Sequence, residues 1–352
     1  MRAFVYSSQP SRVVFRPGAL EELGPEIERL GASRALVLST PEQRGAAEEV
    51  ARRLGGRSVG VYDKAVMHVP LETADAARAV AKDLGADCCV AVGGGSTIGL
   101  GKAIALTSDL PILAIPTTFA GSEMTPIYGI TERGQKKTGR DPRVLPRTVL
   151  YDPLLTLSLP AKIAGPSGMN AIAHCVEALY AQDANPITSL MAEEGIRILA
   201  ASLPLVVREP GNVDAHADAL YGAWLAGACL GNVGMALHHK LCHTLGGTYN
   251  LPHAETHTVI LPHAVRYNSA AAPEAMRRIS HALDGADPPT GLYDLAKALG
   301  TPLALRDLGL PASVLDEASR LATQNPYYNP RPVEQAAIRN LLQDAWEGRR
   351  PG

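Results

Sequence analysis

"CCVAVGGGSTIGLGKAIAL", residues 88–106, runs an apolar, β-rich segment into three glycines, a hydroxyl and then a helical pattern that carries Lys102. Gly93, Gly94 and Gly95 would let backbone N–H groups approach a pyrophosphate closely, and the helix start just beyond them, at Ser96, adds partial positive charge. The stretch therefore reads as the phosphate turn of a dinucleotide-binding α/β domain. Its spacing is neither GxGxxG nor that of a P-loop, so the pattern alone is a weak signal.

The flanking sequence strengthens it. "RALVLST" (34–40), "RSVGVYD" (57–63) and "LPILAIPTT" (110–118) are further β-rich runs, and helical segments such as "ETADAARAVAKDLG" (72–85) separate them. That alternation predicts a parallel sheet covered by helices. The opening "RAFVYSSQPSRVVFRPG" (2–18) reads instead as two strands around a polar turn at Pro10, a hairpin edge. After "TVLYDPLLTLSLP" (148–160) the strand signals fade into long Ala- and Leu-rich helical stretches, among them 189–207 and 217–231. A boundary near 155 follows, with an α/β domain over 1–155 and an all-helical one over 156–352.

A second ligand loop lies just past the next strand, in "IPTTFAGSEMTPIYGITE" (115–132), where Thr117, Thr118, Gly121, Ser122 and Thr125 cluster. Loops at the carboxyl ends of parallel strands are where such sheets bind ligands, so these hydroxyls are candidates for phosphates and ribose. After the second strand stand Ser39 and Thr40, with Glu42 and Arg44 slightly later. The expected cofactor is NADH, with some use of NADPH.

Histidine concentrates in the second half. "SGMNAIAHCVEALYA" (167–181) sets Asn170 and His174 four apart on a helix, and 235–268 holds six of the ten histidines in the chain. His239 and His243 share a helical face that the Gly246–Gly247 pair is expected to end, and His253 returns from the following loop. Imidazoles gathered in this way bind metal, titrate, or donate hydrogen bonds to an anion. His238, His257 and His263 are read as structural.

Bulk properties exclude several classes. The 352 residues carry 33 Lys plus Arg against 35 Asp plus Glu, a balance unsuited to a nucleic acid partner. Five cysteines form no CxxC pair, and a chain of this size needs no disulfide staple, which suits a reducing cytoplasm. Neither an export signal nor a membrane span is expected.

In order along the chain, "GGGS", "PTTFAGSE", "GMNAIAHCVEA" and "CHTLGGTYNLPH" resemble the iron-containing alcohol dehydrogenase family. The resemblance implies a dinucleotide-binding N-terminal domain, an all-helical C-terminal domain, hydride transfer in the cleft between them, and a homodimer, for which the N-terminal hairpin is a plausible joining edge. It also implies a metal site of one Asp and three His, falling here on Asn170, His174, His239 and His253, and a nicotinamide-side histidine at His243. Two positions depart from the pattern: Asn170 replaces the Asp ligand, and Gly99 replaces an Asp in the glycine-rich stretch. Both departures, with "AGSEMTPIYGITE" (120–132) and "NPYYNPRP" (325–332), resemble the family's maleylacetate reductase branch, which reduces an enone dicarboxylate to 3-oxoadipate without an added metal.

A neutral amide costs a divalent cation its charged oxygen, so the site is expected to need no metal. His243, His253, His174 and His239 are then the catalytic candidates. Tyr128, Lys136, Lys137, Arg140, Tyr327 and Arg331 are candidates for the two substrate carboxylates. The alternative is an iron- or zinc-dependent alcohol dehydrogenase. A lyase resembling dehydroquinate synthase is disfavoured, because residues 170–268 contain only Arg197, Arg208, Lys240 and Arg266 to surround a phosphorylated sugar acid.

Overall fold

The computed structural model describes Phe4, Tyr6, residues 11–132 and residues 135–352. Two compact units divide at Leu159/Pro160. The break falls past residue 155 because Leu155 packs into the core of the first unit, and the Asp152 carboxylate accepts from Gly18 N and Leu154 N.

In the first unit the strands are β1 (Arg12–Phe15), β2 (Ala35–Leu38), β3 (Ser58–Tyr62), β4 (Cys88–Gly93), β5 (Ile112–Pro116), β6 (Ile127–Glu132), β7 (Gln135–Arg140) and β8 (Thr148–Tyr151). Its helices are α1 (Leu23–Arg29), α2 (Arg44–Leu54), α3 (Leu71–Asp83) and α4 (Gly95–Ser108). Six strands form one sheet in the order β1-β8-β5-β4-β2-β3, every pair parallel. β2, β4, β5 and β8 are buried at every residue, as their unbroken apolar runs require of strands covered on both faces. β6 and β7 pair antiparallel apart from this sheet. From β2 the chain steps outward to β3, and after β4 it steps the other way to β5. The loops leaving β2 and β4 thus diverge, which is the switch point where such sheets take ligands.

The hairpin expected at the start is only partly within view. Its first strand and its turn at Pro10 lie outside the described residues. The described strand, β1, is an edge as expected, but its partner is β8, in parallel register from Arg12–Thr148 to Phe15–Tyr151.

The second unit contains α5 (Ala161–Tyr180), α6 (Pro186–Arg208), α7 (Val213–Asn232), α8 (Leu237–Tyr249), α9 (His253–Asn268), α10 (Pro273–Ala282), α11 (Pro288–Ala298), α12 (Leu315–Thr323) and α13 (Gln335–Glu347). α5 is buried at every position from Ala164 to Tyr180, so it is a central helix without a solvent face. Leu237, Leu241 and Leu245 of α8 pack with Val259, Ile260 and Ala264 of α9 and with Ile338 and Leu342 of α13.

Two local expectations are corrected here. α8 does not end at Gly246–Gly247; it continues to Tyr249, and Asn250 takes the left-handed conformation, φ 53°, that terminates it. His253 is the first residue of α9, after Pro252 as its N-cap, and not a loop residue. Among the described residues no single helix is long and apolar enough to cross a membrane.

Candidate active site

The first unit builds an anion cradle at the end of β4. Gly93 has φ 152°, and a Cβ there would lie 2.5 Å from Thr97 Oγ1 and 2.6 Å from Gln43 Oε1. Only glycine fits. Gly95, which opens α4, is exposed, and a Cβ there would meet nothing within 4 Å. No side chain among the described residues caps α4, so its first N–H groups remain available to a ligand. Ser96 belongs to the same first turn.

The facing loop supplies Thr117 and Thr118. Thr117 N donates to Gly93 O at 3.2 Å, and Thr117 Oγ1 accepts from Gln43 Nε2 at 2.6 Å. Gln43, which sequence reading passed over, thus ties the β2 loop to the β5 loop. Ser39 is fully buried, with its backbone bonded to Tyr62 and Ala65 and its hydroxyl without a partner among the described residues.

Ser122 and Thr125 are engaged with a buried lysine. Lys102 Nζ donates to Ser122 O (2.6 Å), Ser122 Oγ (3.3 Å), Thr125 Oγ1 (2.9 Å) and Ile127 O (2.8 Å). Burial lowers its pKa to about 7. These two hydroxyls therefore organise the loop around Lys102, a role that their sequence neighbourhood did not reveal.

The second unit gathers the histidines. Asn170, His174 and Glu177 recur at i, i+4 and i+7 on α5, so one helical face presents all three. Glu177 is fully buried and accepts from Ala236 N (2.7 Å), His238 N (2.6 Å), His239 N (3.4 Å) and His239 Nδ1 (2.7 Å). A carboxylate placed at the N-terminus of α8 satisfies donors that the helix cannot, and it fixes the ring of His239.

Burial lowers the His239 pKa to about 3 and raises that of Glu177 to about 7. The ring is neutral at pH 7. His239 Nδ1 is engaged with Glu177, and its Nε2 is buried with no partner among the described residues. Asn170 Oδ1 and His174 Nδ1 are likewise buried and unpaired.

His174 stacks on His239 at 5.1 Å between centroids, and His239 is 5.9 Å from His243. His257 lies 4.9 Å from His239 and 4.4 Å from His253, so it joins those two candidates. His238 Nε2 and His257 Nδ1 share one hydrogen bond at 2.9 Å. These two rings were read from sequence as structural. They are fully buried, yet they pack edge-on or tilted against the candidate rings of His174, His239 and His253.

Cys242 completes a buried trio in which one ligand atom each from His238, Cys242 and His257 lies within 4.8 Å of the others. Burial pushes the Cys242 thiol well above its ordinary pKa, which disfavours the thiolate a metal needs, and the two nitrogens facing each other are already bonded. The trio reads as packing.

The carboxylate candidates separate sharply. Tyr327 OH lies 3.2 Å from His243 Nδ1, which brings it to the histidine cluster. Arg331 donates to Tyr267 O at 3.2 Å and its guanidinium sits 4.1 Å from the Tyr267 ring, a structural placement. Lys137 pairs with Glu132 across the β6–β7 hairpin, where Tyr128 packs over Gly139 and Arg140 ends β7. The side chain of Lys136 lies outside the described part of the structure.

A glycine cradle on a parallel sheet and a histidine-lined helical unit define the class. The chain belongs to the iron-containing alcohol dehydrogenase family: residues 10–153 match the family's "Iron-containing alcohol dehydrogenase" description, and residues 165–346 match "Fe-containing alcohol dehydrogenase family, C-terminal". It is an oxidoreductase, and it is similar over its full length to curated maleylacetate reductases. That of Burkholderia cepacia is 60% identical over 351 residues, 100% of each chain, and that of Sphingobium indicum is 58% identical over 348 residues, 99% of each. The crystal structure of maleylacetate reductase from Agrobacterium tumefaciens superposes with a TM-score of 0.96 at 54% identity, covering 100% of both chains.

Proposed function

We propose that this protein reduces the enone double bond of maleylacetate to 3-oxoadipate with NADH, and also with NADPH, and that it needs no metal to do so. The observation that carries the reading is Asn170. It puts a buried neutral amide one helical turn from His174 on the face of α5 that carries Glu177, in a chain 60% identical to a maleylacetate reductase.

The cradle supports the cofactor. The open position at Gly95, the uncapped amides of α4 and the Thr117 and Thr118 hydroxyls suit a pyrophosphate. A nicotinamide dinucleotide held there supplies hydride. On this reading Gly95→Val raises the Kd for NADH about tenfold or more, since the new side chain fills ligand space, while Tm moves by less than about 2 °C. Calorimetric titration and thermal unfolding check the pair, and equal losses in both would mark Gly95 as a packing glycine.

Maleylacetate suits a site of hydrogen-bond donors. Hydride added to its alkene carbon pushes charge through the conjugated system onto the ketone oxygen, giving an enolate and not a localised alkoxide. Hydrogen bonds from preorganised donors stabilise that oxygen, and one proton delivered to the carbon beside the ketone completes 3-oxoadipate. His239 is held by Glu177 through Nδ1, so donation is assigned to His253 and His243.

The metal-dependent alcohol dehydrogenase reading rests on a different observation. Asn170 Oδ1, His174 Nδ1 and His239 Nε2 are buried polar atoms without partners among the described residues, as metal ligands would be. Their number suits a cation; their charge does not, because none is anionic. One experiment separates the two readings: turnover of maleylacetate and of simple aldehydes, before and after EDTA dialysis, with metal content measured. We expect maleylacetate activity to survive with well under one bound equivalent. A stoichiometric metal whose removal abolishes turnover would overturn the proposal.

A further inference from the structure

We propose that Lys240 anchors one carboxylate of the substrate. The inference rests on the reading of that substrate as a dicarboxylate. A dianion approaching the buried rings of His174, His239 and His257, which burial keeps from protonating, needs a cation, and the helices around them offer few. Between residues 170 and 268, Arg197 pairs with Glu194, Arg208 donates to Pro204 O, and Arg266 is exposed at the end of α9 opposite His253. Of the cations first considered, Lys137 is paired with Glu132, Arg140 belongs to the β6–β7 hairpin of the first unit, and the side chain of Lys136 lies outside the described residues. Arg331 sits on Tyr267, whose hydroxyl is bonded to Pro332 O and not to a candidate histidine.

Lys240 remains. It follows His239 on α8 and precedes His243 by three residues, which places it on the helical face of His243. It is half-buried and has no carboxylate partner among the described residues. Its Nζ lies 5.7 Å from the centroid of the Tyr327 ring, and Tyr327 OH lies 3.2 Å from His243 Nδ1. A cation over an aromatic face is held without being neutralised, so the ammonium keeps its donors for an anion.

Tyr327 also lines a cavity of about 420 Å3 with Gln182, Asp183, Gly234, Met235 and Tyr328. The single carboxylate in that lining, Asp183, has one oxygen occupied by Gly234 N at 2.9 Å. One contact chain thus links the ammonium, the aromatic ring and the candidate catalytic histidine.

Lys240→Met keeps the aliphatic stem over Tyr327 and removes the charge. We expect KM for maleylacetate to rise about 10- to 100-fold, the loss of one charged hydrogen bond, with kcat within about threefold and NADH affinity unchanged. Lys240→Arg should recover most of the loss. KM for the monomethyl esters of maleylacetate separates charge from shape: at least one ester, lacking the anchored carboxylate, should be insensitive to Lys240→Met.

Calorimetry with adipate in the presence of NAD+ provides a readout independent of turnover, and the variant should bind it more weakly by a similar factor. If the wild type fails to reduce maleylacetate, the proposed reaction falls, while adipate binding still decides Lys240. Unchanged adipate affinity in Lys240→Met, no adipate binding to the wild type, or an equal rise in KM for every ester would overturn the anchor.

Discussion

His253→Ala is expected to lower kcat for maleylacetate by about 100- to 1000-fold, the usual loss when one preorganised oxyanion donor is removed, while NADH affinity stays nearly unchanged. His253 opens α9 and is half-buried, with its ring 4.4 Å from that of His257. The backing ring is fully buried, and its burial keeps it neutral, so it can position His253 without repelling it. His239 is committed elsewhere, its Nδ1 bonded to Glu177 and its ring stacked on that of His174. His243→Ala should instead disturb turnover and cofactor affinity together, since His243 is exposed, is bonded to Tyr327, and falls on the family's nicotinamide-side position. Steady-state kinetics and NADH titration of the two variants check both expectations. Near-normal kcat in both would defeat the assignment and turn attention to Tyr128 and Tyr327.

The parallel sheet was legible because its evidence is local. β4 and β5 are continuous apolar runs, and a glycine turn opening a helix needs no distant partner to be recognised. Asn170 and His174 were legible as a pair for the same reason, since helical spacing alone places them together. What escaped depends on partners far along the chain. Glu177 acquires its meaning from Ala236, His238 and His239, about sixty residues away, and its sequence shows only an acid in an apolar helix. His257 reads as a lone ring on a buried face until α8 and α9 pack side by side. Charge identified Lys137 and Arg331 as candidates, but it could not show that Glu132 and Tyr267 already engage them. Conversely, Lys240 entered the sequence argument only as one of four basic residues. The end of α8 was misplaced because paired glycines are compatible with a helix when packing holds them, and Asn250 could take the left-handed cap.

Acid should destabilise this protein steeply, beginning below about pH 6.5. Burial lowers the pKa values of His174, His238, His239, His257 and His263 from the ordinary 6.5, to about 3 for His239 and about 4 for His263. As pH falls through 6.5 the unfolded chain takes up protons at these rings while the folded chain does not. Stability therefore rises with pH across this window and is lost on going down through it. Each ring contributes up to about 1.4 kcal/mol per pH unit once the unfolded state is protonated, so the five together approach about 7 kcal/mol per unit. Against a typical total of roughly 5–15 kcal/mol, the fold should fail within one to three units. The buried acids oppose this. Burial raises the pKa of Glu123, and that of Glu177 to about 7, so the folded chain holds a proton on Glu177 that the unfolded chain lacks down to about pH 4.5. That offsets about one ring and leaves a net slope of roughly 5 kcal/mol per unit. Tm measured from pH 8 to 4.5 should fall only gently between 8 and 7, where the lowered pKa of Lys102 gives the unfolded chain one extra proton, and then drop sharply below about 6.5. His263→Leu removes one of the five rings away from the candidate catalytic histidines, so it should flatten the acid limb by about one proton's worth. A Tm that stays level from pH 7 to 5, or a His263→Leu limb as steep as that of the wild type, would show that these rings take up protons in the folded state as well.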